Sequence, residues 1–201
     1  MKILVIDGHP DPDPARLCHA LAGAYITGAG DAGHDVRRID VASLEFPLLR
    51  SAQEFKEAKP PPAIRDAQDA VLWAEHLVLI YPLWLGTQPA LLKGFLEQLF
   101  RPDFAFEPGG KGWPQSKLKG RSARVIVTMG MPAFAYRWIY GAHSLKSLER
   151  NILKFVGLGP IRETLFGSVE AVDASKREKW LKKVRGPVLT TTTSALTQTS
   201  C

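Results

Sequence analysis

Strand-like apolar runs alternate with segments of helical periodicity along almost the whole chain. The apolar runs lie at 2–8, 34–41, 75–82, 122–130 and 160–169. The segments with helical spacing of apolar residues lie at 14–30, 63–74, 89–100, 143–157 and 175–186. Such alternation joins parallel strands through crossover helices, which pack on both faces of the sheet. The pattern therefore predicts an α/β fold, a doubly wound five-stranded parallel sheet with helices on both faces.

The length and composition fit a single domain. With 201 residues, of which 45% are hydrophobic, the chain is long enough to bury a full core. We expect this domain to span residues 1–188, and the polar, low-complexity segment 189–201 to lie outside it. The chain shows no signal peptide or long apolar span, and Cys18 and Cys201 lack disulfide-framework or metal-site spacing. We therefore expect a cytoplasmic protein with no integral membrane segment and no metal site.

The formal net charge of +6 favours an anionic partner such as a nucleotide, a phosphate, a nucleic acid or a membrane surface. A nucleic-acid-binding protein usually concentrates its basic residues on one face, whereas here they are scattered. The densest cluster, "SKREKWLKKVR" at 175–185, is more typical of a solvated helix face than of a binding patch. We therefore expect no nucleic-acid partner.

In an open parallel sheet of this kind, ligands bind beyond the carboxyl ends of the strands, where the strand order switches. The loop after the first strand, "GHPDPDPAR" at 8–16, is neither a GxGxxG turn nor a Walker A loop. It leads into a helix whose free N–H groups can hold a phosphate, with His9 and Arg16 as nearby donors. Asp13 followed by Pro14 resembles an N-cap and a first-turn proline, and an N-cap carboxylate would occupy those same N–H groups.

The loop after the third strand, "YPLWLGTQP" at 81–89, leaves a buried strand through aromatic and apolar residues. Pro82 has no N–H, and we expect the amides of Leu83, Trp84 and Leu85 to face a ligand. Trp84 either covers a flat ring or packs in the core, because Trp is highly buried on average.

The loop after the fourth strand supplies Thr128, Gly130 and Met131, followed by Tyr136. A glycine there permits close approach of the backbone to a ligand. Tyr136 either donates a hydrogen bond to developing negative charge or packs in the core.

Three motifs in this order and spacing carry a resemblance: "ILVIDGHPDP", "YPLWLGTQPALLKGFLEQLF" and "VTMGMPAFAYRW". From residue 2 to about residue 186, the chain resembles the flavodoxin-like NAD(P)H:quinone oxidoreductases. That family includes DT-diaphorase and bacterial quinone reductases that also act as ancillary subunits of potassium efflux systems. The motif after the third strand is the most specific of the three.

The resemblance implies a flavodoxin-like fold, non-covalent FAD or FMN, and NAD(P)H as co-substrate. It implies ping-pong hydride transfer to the flavin, followed by two-electron reduction of a quinone or similar acceptor. The cofactor-binding residues would be His9, Arg16, Leu17, Pro82, Leu83, Trp84, Leu85, Thr128, Met129, Gly130 and Met131. Tyr136 would be the catalytic residue, while Phe104, Phe106 and Trp113 would line the substrate pocket, often across the interface of a homodimer.

The chain departs from the family in the phosphate loop. Asp13, Pro14 and Ala15 stand where the family usually has Ser or Thr, and Met131 replaces the second glycine of a pair. Two alternatives therefore stay open: a flavodoxin-type electron carrier, and an ancillary or regulatory subunit that has lost redox chemistry. Flavodoxins tend to be acidic, so the charge of +6 argues against the carrier.

Overall fold

The computed structural model describes residues 1–107 and 114–186. Its main sheet contains five parallel strands: β1 (Lys2–Asp7), β2 (Asp35–Asp40), β3 (His76–Pro82), β6 (Ser122–Thr128) and β7 (Ile161–Phe166). They are ordered β2-β1-β3-β6-β7. A short antiparallel hairpin, β4 (Phe106–Glu107) and β5 (Gln115–Ser116), lies outside this sheet. The predicted doubly wound sheet is confirmed, with strand ends within a few residues of those expected.

The helices are α1 (Leu17–Asp31), α2 (Ala52–Glu57), α3 (Pro62–Trp73), α4 (Ala90–Leu99), α5 (His143–Ser147) and α6 (Ala174–Arg185). They divide between the two faces because successive strand residues point to opposite sides. Ile3 and Val5 pack with α1 and α6 in one apolar cluster. Leu4 and Ile6 pack with α3, α4 and α5 in the other. Both faces of the sheet are therefore covered.

Several helical segments differ from the sequence expectation. The helix expected at 143–157 is α5 followed by a π-helix at Leu148–Leu153, and a further π-helix spans Ala135–Ile139. Gly157 ends this region at φ 103°, as expected of a C-terminal glycine. Helix α2 lies between the apolar run at 34–41 and the helical segment at 63–74, where the sequence pattern predicted no element, and Ser51 caps it by accepting the N–H of Glu54.

Helices α1 and α6 approach each other very closely at Gly28. A Cβ added at Gly28 would lie 2.1 Å from the carbonyl oxygen of Arg185. Because this neighbour is backbone, no side-chain rotation could relieve the overlap. The absence of a side chain at Gly28 therefore allows the short distance between α6 and α1.

Two expectations fall on residues that the structure does not describe. Trp113 lies outside the described residues, as does the segment 189–201. Across the two described ranges, no helix combines the length and apolar character needed to cross a lipid bilayer.

Candidate functional site

The candidate site lies where the carboxyl ends of β1, β3, β6 and β7 meet. The chain passes from β1 to β2 on one side and returns to β3 on the other, so the strand order switches between β1 and β3. The loops that leave these strands enclose a cavity of about 410 Å³. This is the place where a doubly wound sheet binds ligands.

Most of the predicted cofactor-binding residues line this cavity together. They are His9, Arg16, Leu17, Pro82, Leu83, Trp84, Thr128, Met129 and Gly130. Leu85 and Met131 are not among its lining residues: Leu85 is fully exposed, and Met131 packs against the core.

The sequence analysis missed four lining residues: Asp11, Cys18, Val169 and Glu170. Val169 and Glu170 follow β7, whose carboxyl end lies at the same edge of the sheet. The fifth apolar run is the signal that could have found this loop, because the carboxyl ends of parallel strands share one edge of the sheet.

The expectation that Asp13 caps α1 is wrong. Its Oδ1 atom accepts the N–H of Ala15 at 3.0 Å, and its carbonyl oxygen accepts the N–H of Arg16. Residues 13–16 therefore form a turn, and the helix begins at Leu17 with Arg16 as its N-cap. Within the described residues, no side chain caps this N-terminus, and its first turn carries no acidic residue. The first amides of α1 are therefore available to an anion.

Carboxylates hold the guanidinium of Arg16 at the mouth of the cavity. Nη2 of Arg16 lies 2.7 Å from Oδ2 of Asp11 and 3.3 Å from Oδ2 of Asp13. The pKa of Asp11 is lowered by the hydrogen bond from the Asp13 amide and by the neighbouring Arg16, so Asp11 stays ionised. Asp11 and Asp13 therefore partly neutralise the positive charge of Arg16, and Glu170 adds a further acidic group to the cavity wall.

A network of buried and half-buried charged side chains at the end of β1 is hydrogen-bonded to the loop after β1. Asp7 is fully buried at the end of β1, and its Oδ1 atom accepts the N–H of His9. Its Oδ2 atom lies 2.6 Å from Nδ1 of His19 and 3.2 Å from Nη2 of Arg38. Arg38 also pairs with Asp40 at 2.6 Å.

Asp7, His19 and Asp40 each place a potential ligand atom within 4.8 Å of the others, a grouping that a metal ion could use. The guanidinium of Arg38 already neutralises both carboxylates. We therefore describe this group as an ion-pair network.

The imidazole of His9 lies beside the indole of Trp84, edge to face. Nδ1 of His9 lies 3.1 Å from the amide nitrogen and 3.2 Å from the carbonyl oxygen of Asp11; where it accepts the N–H of Asp11, Nε2 carries the proton of the neutral ring. Burial lowers the pKa of His9, so the ring is neutral near pH 7. His9 therefore offers the cavity a hydrogen-bond donor and little positive charge.

The loop after β3 uses its own amides internally. The N–H of Leu83 donates to the carbonyl of Thr128 at 2.7 Å, and the N–H of Trp84 donates to Thr87 at 2.9 Å. The expectation that these two amides face a ligand is therefore wrong. Trp84 is 49% exposed, so it is not a core residue, and it presents its indole to the cavity. The loop contributes a flat apolar wall.

The far wall of the cavity comes from the end of β6 and the start of α1. The thiol of Cys18 lies 3.3 Å from Oγ1 of Thr128, and burial raises the pKa of this thiol to about 12. At Gly130 an added Cβ would meet only Glu170 Oε1, at 3.8 Å, so a ligand can approach this backbone closely.

A second cavity of about 560 Å³ shares the indole of Trp84 as a wall. Leu85, Pro89, Lys93, Ser144 and Ser147 are among its other lining residues. Trp84 is the residue of the described chain that the linings of the two cavities share. The two cavities together could hold two molecules close to one another.

Tyr136 is not among the described residues that line either cavity, and only 2% of it is exposed. Its hydroxyl oxygen accepts the N–H of Leu145 at 3.2 Å and lies 2.7 Å from Oγ of Ser144. Tyr136 keeps its own proton to donate to Ser144, and either hydroxyl can be the donor in this hydrogen bond. Tyr136 therefore reaches the second cavity through Ser144.

Phe104 and Phe106, the two described residues that were expected in the substrate-pocket wall, line neither of these cavities. Phe104 packs against the core, and Phe106 contacts Phe155 with ring centroids 4.9 Å apart. Phe106 and Phe155 help to line a third, apolar cavity of about 280 Å³, which shares Lys93 and Ile152 with the second cavity.

Residues 1–186 match a family described as having the flavodoxin-like fold. A Haemophilus influenzae protein named an uncharacterized NAD(P)H oxidoreductase is 25% identical over 186 residues, which cover 90% of this chain and 91% of that protein.

Two solved structures show the same fold. An NAD(P)H:quinone oxidoreductase from Methanothermobacter marburgensis has a TM-score of 0.77 at 22% identity, covering 92% of this chain and 94% of that one. An FMN-dependent NADH-azoreductase from Bacillus anthracis, solved with FMN, has a TM-score of 0.71 at 15% identity, covering 92% and 95%. Since the family match covers nearly the whole chain, this protein belongs to the family of flavodoxin-like fold.

Proposed function

We propose that this protein is a flavin-dependent NAD(P)H oxidoreductase that reduces a quinone or a similar acceptor. The observation that carries the proposal is the cavity at the switch point of the sheet. Three loops bring an uncapped helix N-terminus, an exposed indole and an open glycine backbone to that one cavity. The similarity to a named NAD(P)H oxidoreductase supports the same activity.

The residues present fit a flavin, either FMN or FAD. The N-terminal amides of α1, together with Arg16, would hold a phosphate. Trp84, Pro82 and Leu83 form the apolar wall against which an isoalloxazine ring would lie. When bound, the flavin would accept a hydride from NAD(P)H and return two electrons to the acceptor.

The side chains around the second cavity suit an acceptor with a carbonyl oxygen. Ser144 lines this cavity, and Tyr136 stands behind it at 2.7 Å. A hydroxyl whose own oxygen receives a hydrogen bond is a better donor, because chains of hydrogen bonds polarise one another. Ser144 would thus donate to an acceptor oxygen as negative charge develops there.

If NAD(P)H and the acceptor both enter the second cavity beside Trp84, they must visit in turn, which gives a ping-pong order. Initial rates measured at several concentrations of both substrates would then give parallel double-reciprocal lines. Intersecting lines would contradict this order.

We further propose a homodimer, on the strength of an exposed apolar patch beside the site. Phe134, Trp138, Ile139 and Tyr140 are 66%, 80%, 73% and 60% exposed. Large contiguous apolar patches are uncommon on monomers and usually mark an interaction surface. A second copy of the chain is the occupant that the family resemblance favours.

One observation favours a second candidate, an ancillary or regulatory subunit without redox chemistry. Asp11 and Asp13 already engage Arg16, and Glu170 lines the cavity in which a phosphate would bind. Their negative charge would weaken the binding of a phosphate dianion.

Flavin titration separates the two candidates. We expect FMN or FAD to lose fluorescence on binding, and the reconstituted protein to oxidise NADPH or NADH when a quinone is present. No quenching by either flavin would overturn the proposed activity. Flavin binding without NAD(P)H oxidation would favour the ancillary subunit or an electron carrier.

A further inference from the structure

Both ring nitrogens of His19 face oxygen atoms. Nδ1 lies 2.6 Å from the carboxylate oxygen Oδ2 of Asp7, and Nε2 lies 2.9 Å from the carbonyl oxygen of Asp11. A neutral imidazole carries one N–H and can donate to only one of these oxygens. Only the doubly protonated ring donates to both. The geometry therefore identifies His19 as an imidazolium in this arrangement.

The groups that face His19 come from three elements. Asp7 at the end of β1 is fully buried, and the loop after β1 contributes the ring of His9, with centroids 5.4 Å apart, and the backbone of Asp11. From β2, Arg38 and Asp40 lie beside the same carboxylate.

These groups act in opposite directions on the charge of His19. Burial acts to lower the pKa of His19, and so does the charge of Arg38. The hydrogen bonds to Asp7 and Asp11 outweigh both, so that its pKa is raised above the ordinary histidine value. The position of His19 in the first turn of α1 adds a small opposing effect from the helix dipole.

The carbonyl that accepts the Nε2–H of His19 belongs to Asp11, whose other polar groups make most of the hydrogen bonds within the loop after β1. The N–H of Asp11 donates to His9, and the Asp11 carboxylate accepts the N–H of Asp13. The same carboxylate accepts Nε–H of Arg16 at 2.7 Å. Fixing Asp11 therefore fixes the turn that places Arg16 at the start of α1.

We propose that His19 is a positioning residue: as an imidazolium, it fastens the loop after β1 to Asp7, in the shape that binds the flavin phosphate. This inference rests on the proposed function. His19 itself acts through Asp11 and Arg16. When His19 loses one proton, it keeps only one of its two hydrogen bonds. Either the bond to the Asp7 carboxylate or the bond to the Asp11 carbonyl is then lost, and the loop is no longer fastened to β1.

A pH-dependent flavin affinity follows, and its sign is fixed. Because the pKa of His19 is raised, its contribution is complete at lower pH and is lost as the pH rises through that raised value. The second ionisation of a phosphate lies near pH 6, so the phosphate stays a dianion above about pH 7. Weaker binding at higher pH would therefore not come from the phosphate.

The test measures FMN affinity by fluorescence quenching, from about pH 7 to about pH 9. For the unmodified protein we expect the dissociation constant to rise about tenfold across the titration of His19, the effect of losing one charge-assisted hydrogen bond. His19→Gln has no titrating proton and should bind FMN weakly at every pH, with a flat profile. His34→Gln is the matched control, since His34 precedes β2 at the opposite end of the sheet, and it should keep the pH dependence.

A second measurement does not depend on any variant folding well. Nitrogen-15 NMR of the unmodified protein reports the protonation of both ring nitrogens of His19 directly. We expect both to be protonated at about pH 7, and the pKa to rise further when FMN binds, because linkage is reciprocal.

The outcomes separate this inference from the proposed function. A neutral His19 at about pH 7, or a His19→Gln variant with unchanged FMN affinity and pH profile, would overturn the role of His19 while flavin binding stands. Failure of the unmodified protein to bind any flavin, with His19 doubly protonated, would overturn the proposed function and the use of the loop for phosphate together.

Discussion

The ring of His9 meets the indole of Trp84 edge to face, with their centroids 6.0 Å apart. The ring of His9 also lies beside the ring of His19, with centroids 5.4 Å apart, and His19 in turn contacts the buried Asp7. The loops after β1 and β3 are therefore in direct contact at the point where the strand order switches.

Trp84 should contribute to flavin affinity through its flat apolar surface. We expect Trp84→Ala to weaken flavin binding about fivefold to tenfold, which corresponds to about 1 to 1.4 kcal/mol. Trp84→Phe keeps an aromatic face and should stay within about twofold of the unmodified protein. Equilibrium fluorescence titration measures both variants. Equal losses in the two would show that the indole acts through something other than its aromatic face.

The acidic residues around Arg16 should oppose the flavin phosphate. Asp13→Asn keeps the oxygen that accepts the N–H of Ala15 and removes the charge. We expect it to tighten FMN binding about threefold, because one repulsive charge is lost and Arg16 is released.

Arg16→Ala should weaken FMN binding by about 1.5 to 3 kcal/mol. Riboflavin, which lacks the phosphate, is the control ligand and should bind both variants like the unmodified protein.

The hydroxyl of Tyr136 should matter for turnover and for stability. Tyr136→Phe leaves the buried N–H of Leu145 without its acceptor, which costs about 1 to 3 kcal/mol of unfolding free energy. If Ser144 and Tyr136 together donate to the acceptor, both Ser144→Ala and Tyr136→Phe should slow turnover about tenfold to a hundredfold, with flavin affinity within about threefold. Steady-state kinetics with a quinone checks the rates. Unchanged turnover in both variants would assign Tyr136 to packing alone.

Gly28 should be intolerant of any side chain. Gly28→Ala places a methyl group against the backbone of Arg185, and we expect a loss of about 1 to 3 kcal/mol in unfolding free energy. Gly23→Ala, in the same helix with no atom within 4 Å of the added Cβ, should instead be stabilising by up to about 1 kcal/mol. Urea denaturation of both variants measures the difference. Similar stabilities would mean that α6 shifts away from α1 without penalty.

The exposed patch after β6 should hold the two copies of a dimer together. We expect the unmodified protein to sediment as a dimer at micromolar concentration, and Trp138→Glu to sediment as a monomer. The indole of Trp138 is 80% exposed, so its replacement should leave the fold of the single chain intact. Circular dichroism is the control for folding. A monomeric unmodified protein would contradict the interface.

The alternation of apolar runs with helical segments was enough to predict the sheet, because strand burial on both faces leaves a strong pattern in the sequence. The same reasoning located the cavity, since carboxyl ends of parallel strands share one edge. It failed at Asp13, where an Asp-Pro pair suits a helix cap and a turn equally well. It also failed to show that Tyr136 points to Ser144, because the direction depends on the π-helix at Ala135–Ile139, which has no clear pattern in the sequence.

The indole of Trp84 lines both cavities, and this limits which substitutions can change the acceptor without changing the cofactor. A substitution at Trp84 would alter cofactor retention and acceptor choice at the same time, because one side chain borders both spaces. Lys93, Ser144 and Ser147 border the larger space without lining the smaller one. Changes in acceptor range, whether selected in nature or made in the laboratory, should therefore accumulate at these three positions while Trp84 is retained.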